Sequence, residues 1–342
     1  MTFRTVKIAG QEIGEGKPVF IVAEAGVNHF GDMDRARRLV DMAVSANTDA
    51  VKFQVYKTGS MIARESGEWI ERMKQKELSY RQVEEIKRYC DAQGIIFLAS
   101  AHEEESLDFL HELEVPAFKV GSGEKGNTQY LRYAAQKGRP VILSTGMCDL
   151  GDVAKAVATL ETGGCKDIVL LHCVSLYPTK PAEVNLRAMD TLHSQFNSPV
   201  GYSDHTIGSN VVLAAVARGA CCIEKHIALE KDMPNTQDPL VSCDSRELVD
   251  LVAGIREIEA ALGSSEKKQM ERERESELWA RKSLVSRKYI RKGTVLTIEM
   301  LVAKRPGTGI VPEHIETVVG KSVLRDVDVD EVIRPEWLSD GY

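Results

Sequence analysis

Two lysines and two serines stand in or just after short apolar segments of the sequence. These residues are Lys52, Lys119, Ser122 and Ser144. Ammonium groups, hydroxyls and the glycine-rich backbone of Gly121–Gly123 are donors that bind phosphate or carboxylate groups. Lys52 and Lys119 lie two apolar segments apart, so both can project into the same cavity. This arrangement predicts an anion-binding site.

Two histidines stand at the ends of neighbouring apolar segments further along the chain. His205 directly follows Asp204, and His226 follows Glu224 by two residues. Imidazole nitrogens combined with oxygen donors suit Mn, Fe, Co or Zn rather than Ca. The two histidines are therefore a candidate pair of adjacent metal ligands that leaves positions open for water and substrate.

Each of these residues also has an ordinary structural interpretation. A lone lysine at a strand end is usually a solvated rim residue, and a lone buried histidine is usually hydrogen-bonded within a core. The two lysines could also serve only to balance Glu24 and Glu124. What favours a site is that polar residues collect at the ends of all eight apolar segments, because an interior with ionisable groups at one end is typical of a ligand mouth.

Eight short apolar segments alternate with amphipathic stretches between residues 18 and 262. Most are apolar nearly throughout, as strands covered on both faces are. The predicted strands are Pro18–Gly26, Asp49–Val55, Ile95–Ser100, Pro116–Ser122, Pro140–Thr145, Asp167–Cys173, Pro199–Asp204 and Ala220–Ile227. The predicted helices between them include Asp32–Ala46, Ser79–Gly94 and Glu103–Leu113.

Eight strands that are each followed by a helix predict a (β/α)8 barrel of about 250 residues. A doubly wound sheet is the competing fold, but no GxGxxG fingerprint follows the first strand. In a barrel the chemistry belongs at the carboxyl ends of the strands, which is where the lysines and histidines stand. The predicted fold class is thus α/β, with a TIM barrel at residues 1–262.

The composition excludes several classes of protein. The chain has 342 residues, 43% of them apolar and 28% charged, with a formal net charge of −7. Mild acidity without a basic stripe argues against nucleic-acid binding. No apolar run approaches a membrane span and the N-terminus lacks a signal peptide's apolar stretch, so we expect a cytoplasmic protein. Seven cysteines without a CxxC pair indicate reduced thiols rather than disulfides or a cysteine zinc site.

The composition changes after the barrel. Residues 263–281 are dense in charge and poor in core-forming residues, which predicts a linker or a solvated helix. Residues 282–342 contain short β-like pieces and a turn at Lys292–Gly293. We therefore expect a small, mostly β domain that is marginal alone and stable when docked.

Motifs along almost the whole chain resemble those of the sialic acid synthase (NeuB) family. They are IVAEAGVNHFGDMDRA, AVKFQVY, FKVGSGE, ILSTGM, LHCVSLYPT, GYSDHTIG and IEKHIALEK, and KSLVSRKYIRKGTVL and AKRPGTGI are similar to the family's SAF, or antifreeze-like, domain. The resemblance implies a TIM barrel joined to a β-clip-like SAF domain, in a domain-swapped homodimer where each SAF domain covers the partner's active site. It also implies condensation of phosphoenolpyruvate with an N-acylated mannosamine-type amino sugar, giving a nine-carbon 2-keto sugar acid and phosphate.

The same resemblance assigns roles to individual residues. It implies that His205 and His226 hold a divalent cation, Mn²⁺ before Mg²⁺ or Co²⁺, and that Glu24 is a carboxylate near the reacting centre. The residues implied to bind phosphoenolpyruvate are Lys52, Lys119, Ser122, Ser144 and Ser175. Those implied to meet the sugar are Gln54, Glu124, Tyr177, Asp238 and, from the other subunit, Arg305. Lys119 is expected to stabilise developing charge, and Glu124 to donate a proton to the new alkoxide.

Two departures from the family pattern leave the sugar open. Many members have a Gly-Pro-Asp loop where this chain has MPNTQDPLVSCD, residues 233–244, so that Asp238 is one residue out of register. Ser175 stands where family members often have asparagine. N-acetylmannosamine and a 2,4-diacetamido-6-deoxy sugar of the legionaminic or pseudaminic type therefore both stay open as substrates.

Three other functions compete with this one. A Schiff-base aldolase would use Lys119, but it needs a lysine desolvated in an apolar pocket rather than in an anion site. A synthase of the KDO-8-phosphate type would need a second cluster of Arg or Lys for the sugar phosphate, and the strand ends offer none. A binding protein without activity would tolerate a degenerate mouth, whereas the carboxylate, both lysines and both histidines are present.

Overall fold

The structure is a computed structural model that describes residues 4–233 and 238–339. The chain forms two compact units, Met1–Gly263 and Ser264–Tyr342, and each has its own hydrophobic core. The predicted linker, residues 263–281, falls almost entirely in the second unit. Within the described residues, no helix combines the length and the apolarity needed to cross a lipid bilayer.

Ten strands belong to the described part of the first unit. They are β1 Val6–Ile8, β2 Gln11–Ile13, β3 Phe20–Gly26, β4 Ala50–Val55, β5 Ile96–Ala101, β6 Phe118–Val120, β7 Val141–Ser144, β8 Ile168–Cys173, β9 Val200–Asp204 and β10 Cys222–His226. Strands β1 and β2 form an antiparallel hairpin. Strands β3 to β10 run parallel and close into a barrel in which β10 pairs with both β9 and β3, which confirms the predicted (β/α)8 fold.

Helices connect successive barrel strands. In this unit they are α1 Met33–Ser45, α2 Thr58–Met61, α3 Glu68–Lys74, α4 Tyr80–Gln93, α5 Glu104–Glu112, α6 Thr128–Gln136, α7 Leu150–Thr162, α8 Pro181–Val184, α9 Ala188–Gln195, α10 Asn210–Ala217, α11 Asp238–Val241 and α12 Ser245–Leu262. The connection from β4 to α4 carries extra turns, because α2, α3 and a short 3-10 helix at Arg64–Ser66 lie within it.

Helix α4 shows how the sequence sets the ends of these elements. The Ser79 side chain accepts from the Gln82 N–H and Gln82 reaches back to the Ser79 backbone, which completes a capping box. Gly94 ends the helix with φ of 73°, a left-handed conformation that favours glycine. Its buried face against the barrel consists of Val83, Ile86 and Cys90. The helix predicted at Ser79–Gly94 is therefore confirmed.

Apolar side chains fill the barrel at the amino-terminal end of its strands, and we call this cluster the lower interior. The hairpin β1–β2 supplies part of it, and the strand starts supply the rest. Its members are Val6, Ile8, Ile13, Phe20, Val22, Ala50, Leu98, Ala117, Ile142, Val169, Leu171, Cys221 and Cys222. Because side chains alternate along a strand, the next inward positions lie higher in the barrel, where the site begins.

The second unit is small and rich in β structure, as predicted. Its strands β11 Ser283–Ser286 and β12 Leu301–Lys304 pair antiparallel, and isolated bridges such as Ile290↔Val327 extend the pairing. Its helices are α13 Glu273–Ala280 and α14 Ile315–Val318. Leu284, Leu296 and Ile333 are among the fully buried residues of its core.

Candidate active site

The carboxyl ends of the barrel strands surround a cavity of about 270 Å³, which we call the inner cavity. Most of the residues predicted from the sequence line it together. They are Glu24, Lys52, Gln54, Lys119, Ser122, Ser144, Ser175, Tyr177, His205 and His226. The convergence that the strand-end pattern predicts is thus present in the structure.

Lys52 and Glu24 form a buried ion pair in the inner cavity. They stand opposite each other on β4 and β3, and Lys52 Nζ lies 2.6 Å from Glu24 Oε2. The Gln54 side chain donates to Glu24 Oε1 at 3.3 Å. Burial opposes the charge of Lys52, but the carboxylates of Glu224 and Glu24 outweigh it and raise the pKa of Lys52. Lys52 is therefore a cation at neutral pH.

Glu224 lies between the two lysines and holds their ammonium groups close together. Its Oε2 lies 3.6 Å from Lys52 Nζ, and its Oε1 lies 3.5 Å from Lys119 Nζ. Ser203 donates to Glu224 Oε1 at 2.9 Å. Burial disfavours the charged carboxylate, but Lys119, Lys52 and the Ser203 hydroxyl hold the pKa of Glu224 well below its usual range.

The partner that balances the lysines is therefore Glu224 and not Glu124. The alternative in which Lys52 and Lys119 balance Glu24 and Glu124 is wrong in its second half. The sequence did carry a signal, because Cys222, Glu224 and His226 alternate along β10 and so share its inward face. Lys119 additionally donates to Ser144 Oγ at 2.7 Å.

Hydroxyl groups crowd around Gly146, just beyond β7. A Cβ atom at this position would come within 2.4 Å of Ser175 Oγ, 2.7 Å of Ser122 Oγ and 3.0 Å of Cys173 Sγ. The Gly146 N–H donates to Ser122 Oγ at 2.9 Å. Glycine is thus the residue that lets the Ser122 and Ser175 hydroxyls meet here, where they can donate to a bound anion.

His205 and His226 lie side by side, with ring centroids 5.5 Å apart. The ring nitrogen Nδ1 of His205 lies 2.6 Å from the carbonyl oxygen of Val174, so Nδ1 is the donor and Nε2 keeps its lone pair. The Tyr177 hydroxyl donates to that Nε2 at 3.0 Å. Burial, followed by the neighbouring His226, lowers the pKa of His205 to about 4, so the ring is neutral at pH 7.

This histidine pair fits a divalent cation. A metal-ligating histidine commonly donates its second ring nitrogen to a carbonyl, as His205 does to Val174. In His226 the buried Nδ1 has no hydrogen-bond partner among the described residues. No group of three or more His, Cys, Asp or Glu side chains with metal-binding geometry occurs in the described ranges, so water and substrate would complete the coordination.

A buried ion pair behind the histidines fixes the loop that carries His205. Lys225 points away from the inner cavity, and its Nζ donates to Asp204 Oδ2 at 2.5 Å and to the Thr206 carbonyl at 2.6 Å. Asp204 also accepts from the Thr206 N–H at 3.1 Å. The residues on both sides of His205 are therefore held by one lysine.

A second cavity of about 430 Å³, the outer cavity, lies next to the inner one and shares residues with it. The shared residues are Gln54, Tyr177 and His226. Asp238 lines this outer cavity rather than the inner one. Its remaining lining comes largely from α3 and the residues just after it, which the strand-end argument did not consider: Trp69, Arg72, Met73 and Lys76.

Two predicted residues lie away from both cavities. Glu124 lines a small neighbouring pocket and accepts from Asn127 Nδ2 at 2.8 Å, and burial raises the pKa of its carboxyl. Arg305 belongs to the second unit, where its Nε donates to the Ala280 carbonyl at 3.0 Å and its guanidinium faces Trp279.

Two other inner-cavity residues were not among the predicted site residues. Ser100 accepts from Lys52 Nζ at 3.3 Å. His102 also lines the cavity, and burial together with Lys52 and Lys119 lowers its pKa to about 4. Both stand at or just after the end of β5, so the rule that chemistry follows strand ends was sufficient to find them.

Comparisons with known sequences cover both units. The profile of the NeuB family matches residues 39–267, and that of the SAF domain matches residues 281–338. The chain is 41% identical over 90% of its length to N,N'-diacetyllegionaminic acid synthase of Legionella pneumophila, covering 91% of that protein. It is 38% identical over 96% of its length to human N-acetylneuraminate-9-phosphate synthase, covering 94% of that protein.

A solved structure shares the architecture. The N-acetylneuraminic acid (sialic acid) synthetase of Leptospira borgpetersenii, in complex with citrate, superposes with a TM-score of 0.75 at 33% sequence identity. The match covers 80% of this chain and 95% of that one.

Proposed function

This chain belongs to the NeuB family and carries a C-terminal SAF domain, and from that premise we propose that it is a nonulosonic acid synthase. The family membership confirms the resemblance seen in its motifs and makes the chain an enzyme of the transferase type. The proposed reaction condenses phosphoenolpyruvate with an N-acylated amino sugar and water, giving a nine-carbon 2-keto sugar acid and phosphate.

The observation that carries this proposal is the composition of the inner cavity. Two buried lysines held together by Glu224 lie in the same cavity as a neutral histidine pair. An anion with two charged groups, a carboxylate and a phosphate, suits the lysines and the hydroxyls around Gly146. The adjoining outer cavity gives room for a second, larger substrate.

His205 and His226 would hold the divalent cation, Mn²⁺ before Mg²⁺ or Co²⁺. When bound there, such a cation polarises a carbonyl oxygen, here that of the open-chain sugar aldehyde. The Val174 carbonyl fixes the His205 tautomer, and the Lys225–Asp204 pair fixes the loop on which His205 stands. These contacts preorganise the ligands before substrate arrives.

The lysines act on charge during the reaction. The enol carbon of phosphoenolpyruvate attacks the aldehyde carbon, and positive charge develops on the carbon that bears the phosphate. Lys52 and Lys119 hold the carboxylate and phosphate oxygens by preorganised charge, which stabilises the transition state without moving. Ser122 and Ser144 supply additional donors at the same anion.

Water completes the reaction next to Glu24. Glu24 holds its carboxylate at the inner cavity between Lys52 and Gln54, where it can orient a water molecule toward the cationic carbon. The tetrahedral species then expels phosphate by cleavage of its C–O bond and leaves a ketone. Of the two protons of water, one ends on the former aldehyde oxygen and one on phosphate. Glu124 as donor of the first proton stays a prediction, and its position outside both cavities does not support it.

The sugar is proposed to extend from the inner into the outer cavity. Gln54 and Tyr177 line both, and Asp238 reaches the sugar from the outer one, where its carboxylate can accept from hydroxyl groups. N-acetylmannosamine is the first candidate. A 2,4-diacetamido-6-deoxy sugar is the second, because the Legionella relative is named for diacetyllegionaminic acid.

We further propose that a second copy of the chain covers the mouth in a domain-swapped homodimer. Three large apolar side chains are exposed on the loops after β7, β8 and β9, namely Met147 at 61%, Leu176 at 48% and Ile207 at 71%. An exposed apolar rim of this kind favours a covering surface. The SAF domain of the second copy is the proposed cover, with its Arg305 contacting the acyl group, and the cytoplasm is the proposed compartment.

The direct test is phosphate release from phosphoenolpyruvate in the presence of a divalent cation and each candidate sugar. We expect sugar-dependent release, and none when the sugar is omitted. Release without sugar, or with no sugar tried, would contradict the proposal. Borohydride with pyruvate would trap Lys119 if the enzyme were a Schiff-base aldolase, and we expect no adduct because Lys119 is a cation facing Glu224.

A further inference from the structure

The outer cavity has one wall that is basic and aromatic. Trp69, Arg72 and Met73 lie on α3, and Lys76 follows just after its end. Their spacing of three, four and seven residues places them along one side of this segment. Trp69 is 53% exposed although it is the largest side chain type, so its ring is available to a ligand.

Lys76 is the residue of this wall that most needs a counter-charge. It forms no ion pair with a carboxylate in the described part of the chain, and its ammonium instead lies 5.3 Å from the centroid of the Phe30 ring. Burial lowers the pKa of Lys76, the nearby Arg72 lowers it further, and Asp238 acts in the opposite direction. Among the residues that line the outer cavity, one carboxylate therefore faces two basic groups.

The connection between the cavities sets which end of the sugar reaches this wall. The proposed reaction requires the aldehyde carbon beside His205 and His226, at the junction of the two cavities. The sugar's distal carbon must then point outward, past Gln54 and Tyr177, toward α3. A 6-deoxy sugar would present a methyl group to this basic wall, where it would cover charged groups without hydrogen-bonding to them.

We propose that Arg72 and Lys76 bind a phosphoryl group on the distal carbon of the acceptor, so that the substrate is a phosphorylated N-acylated amino sugar. This rests on the proposed function and names its substrate class. An arginine fork and a lysine ammonium together suit a phosphate dianion. Trp69 contributes an apolar face against the carbon skeleton next to that phosphate, and Asp238 accepts from hydroxyls on the other side.

The position of this basic wall corrects one expectation from the sequence. The strand ends offer no second basic cluster for a sugar phosphate, but such a cluster lies on α3, inside the long connection between β4 and α4. The reaction is otherwise unchanged, and the distal phosphate ester is retained in the product.

The test compares three acceptors in the phosphate-release assay: N-acetylmannosamine 6-phosphate, N-acetylmannosamine and a 2,4-diacetamido-6-deoxy hexose. We expect the full-length enzyme to have a kcat/KM for the phosphorylated sugar at least about tenfold above that for either neutral sugar. In the double variant R72Q/K76Q this preference should disappear through a higher KM for the phosphorylated sugar, while the KM for phosphoenolpyruvate and the turnover of a neutral sugar stay within about twofold.

The matched control is Lys74→Gln, an exposed lysine on the same helix that lines neither cavity. It should leave the preference intact. A wild-type enzyme that uses a neutral sugar as well as or better than the phosphorylated one overturns the inference and leaves the proposed function standing. Equal losses for all acceptors in R72Q/K76Q overturn it as well. Absence of turnover with every acceptor overturns the proposed function itself.

Discussion

The lower interior and the inner cavity are two halves of the same barrel, built from the same strands with opposite chemistry. On β3, Phe20 and Val22 lie in the lower interior and Glu24 lies in the inner cavity. On β10 the inward series runs from Cys222 to Glu224 and His226. All these side chains are buried, so burial alone does not determine polarity along a barrel strand.

What separates the halves is how each side chain is compensated. The lower interior is stabilised by the removal of apolar surface from water. In the inner cavity the buried lysines are compensated by carboxylates, since Lys52 pairs with Glu24 and Lys119 pairs with Glu224. Such pairs contribute little net stability, because desolvation offsets their attraction. The upper half is therefore kept for chemistry and the lower half for the fold.

The largest effect is expected from His226→Ala in the upper half. It should lower metal-dependent turnover by about 10³-fold or more, because removing preorganised electrostatic stabilisation costs this much. Titration of Mn²⁺ into the protein, followed by calorimetry, should show weakened binding with an unchanged circular dichroism spectrum. The control is His314→Ala, an exposed histidine of the second unit. Full activity of His226→Ala would refute the ligand assignment.

Glu224→Gln should come next, since it breaks the compensation itself. The variant leaves two buried ammonium groups near each other with one carboxylate fewer, so we expect a loss of about 3 kcal/mol in the free energy of unfolding. Turnover should fall by about 10²-fold, because the lysines no longer hold their positions. Urea unfolding and steady-state kinetics measure the two losses. Glu112→Gln, an exposed carboxylate on α5, should change neither; a stable and active Glu224→Gln would show that the pairing is dispensable.

Ile8→Ala tests the lower half. Ile8 is fully buried in the hairpin, and its truncation should lower the free energy of unfolding by about 2–4 kcal/mol through lost burial and a residual cavity. Activity per folded molecule should stay within about twofold, because no cavity residue touches the change. Thermal denaturation and kinetics well below the midpoint measure both. A loss of turnover without a loss of stability would mean that the two halves are coupled.

Arg305→Ala should have the smallest effect and reports on the proposed cover. We expect the KM for the sugar to rise by about tenfold, the loss of one charge-assisted hydrogen bond, while the KM for phosphoenolpyruvate stays unchanged. Arg291→Ala, another exposed arginine of the second unit, is the control. Equal changes in both KM values would argue against a contact with the acyl group. A chain that ends before residue 282 should be inactive if the cover acts between subunits.

The sequence allowed the barrel and most of the inner cavity to be predicted, because both follow from periodicity. Alternation within a strand fixes which side chains face inward, so Lys52, Gln54 and the histidines could be placed together from the sequence alone. Glu124 was misplaced beside the lysines because it follows β6 within a 3-10 turn, where no such alternation applies. Arg72 and Lys76 were missed for a related reason: the path of the long connection after β4 depends on tertiary packing.

The hairpin β1–β2 has a consequence for traffic through the enzyme. Since its side chains stopper the barrel from below, the anion pocket is a dead end that opens toward the outer cavity. A sugar seated first would block the way in, so phosphoenolpyruvate must arrive before it. The new sugar acid forms across both chambers, and inorganic phosphate trapped beneath it can escape only after that product has gone. Arrival and departure thus follow a compulsory order dictated by a plug on the opposite side of the barrel.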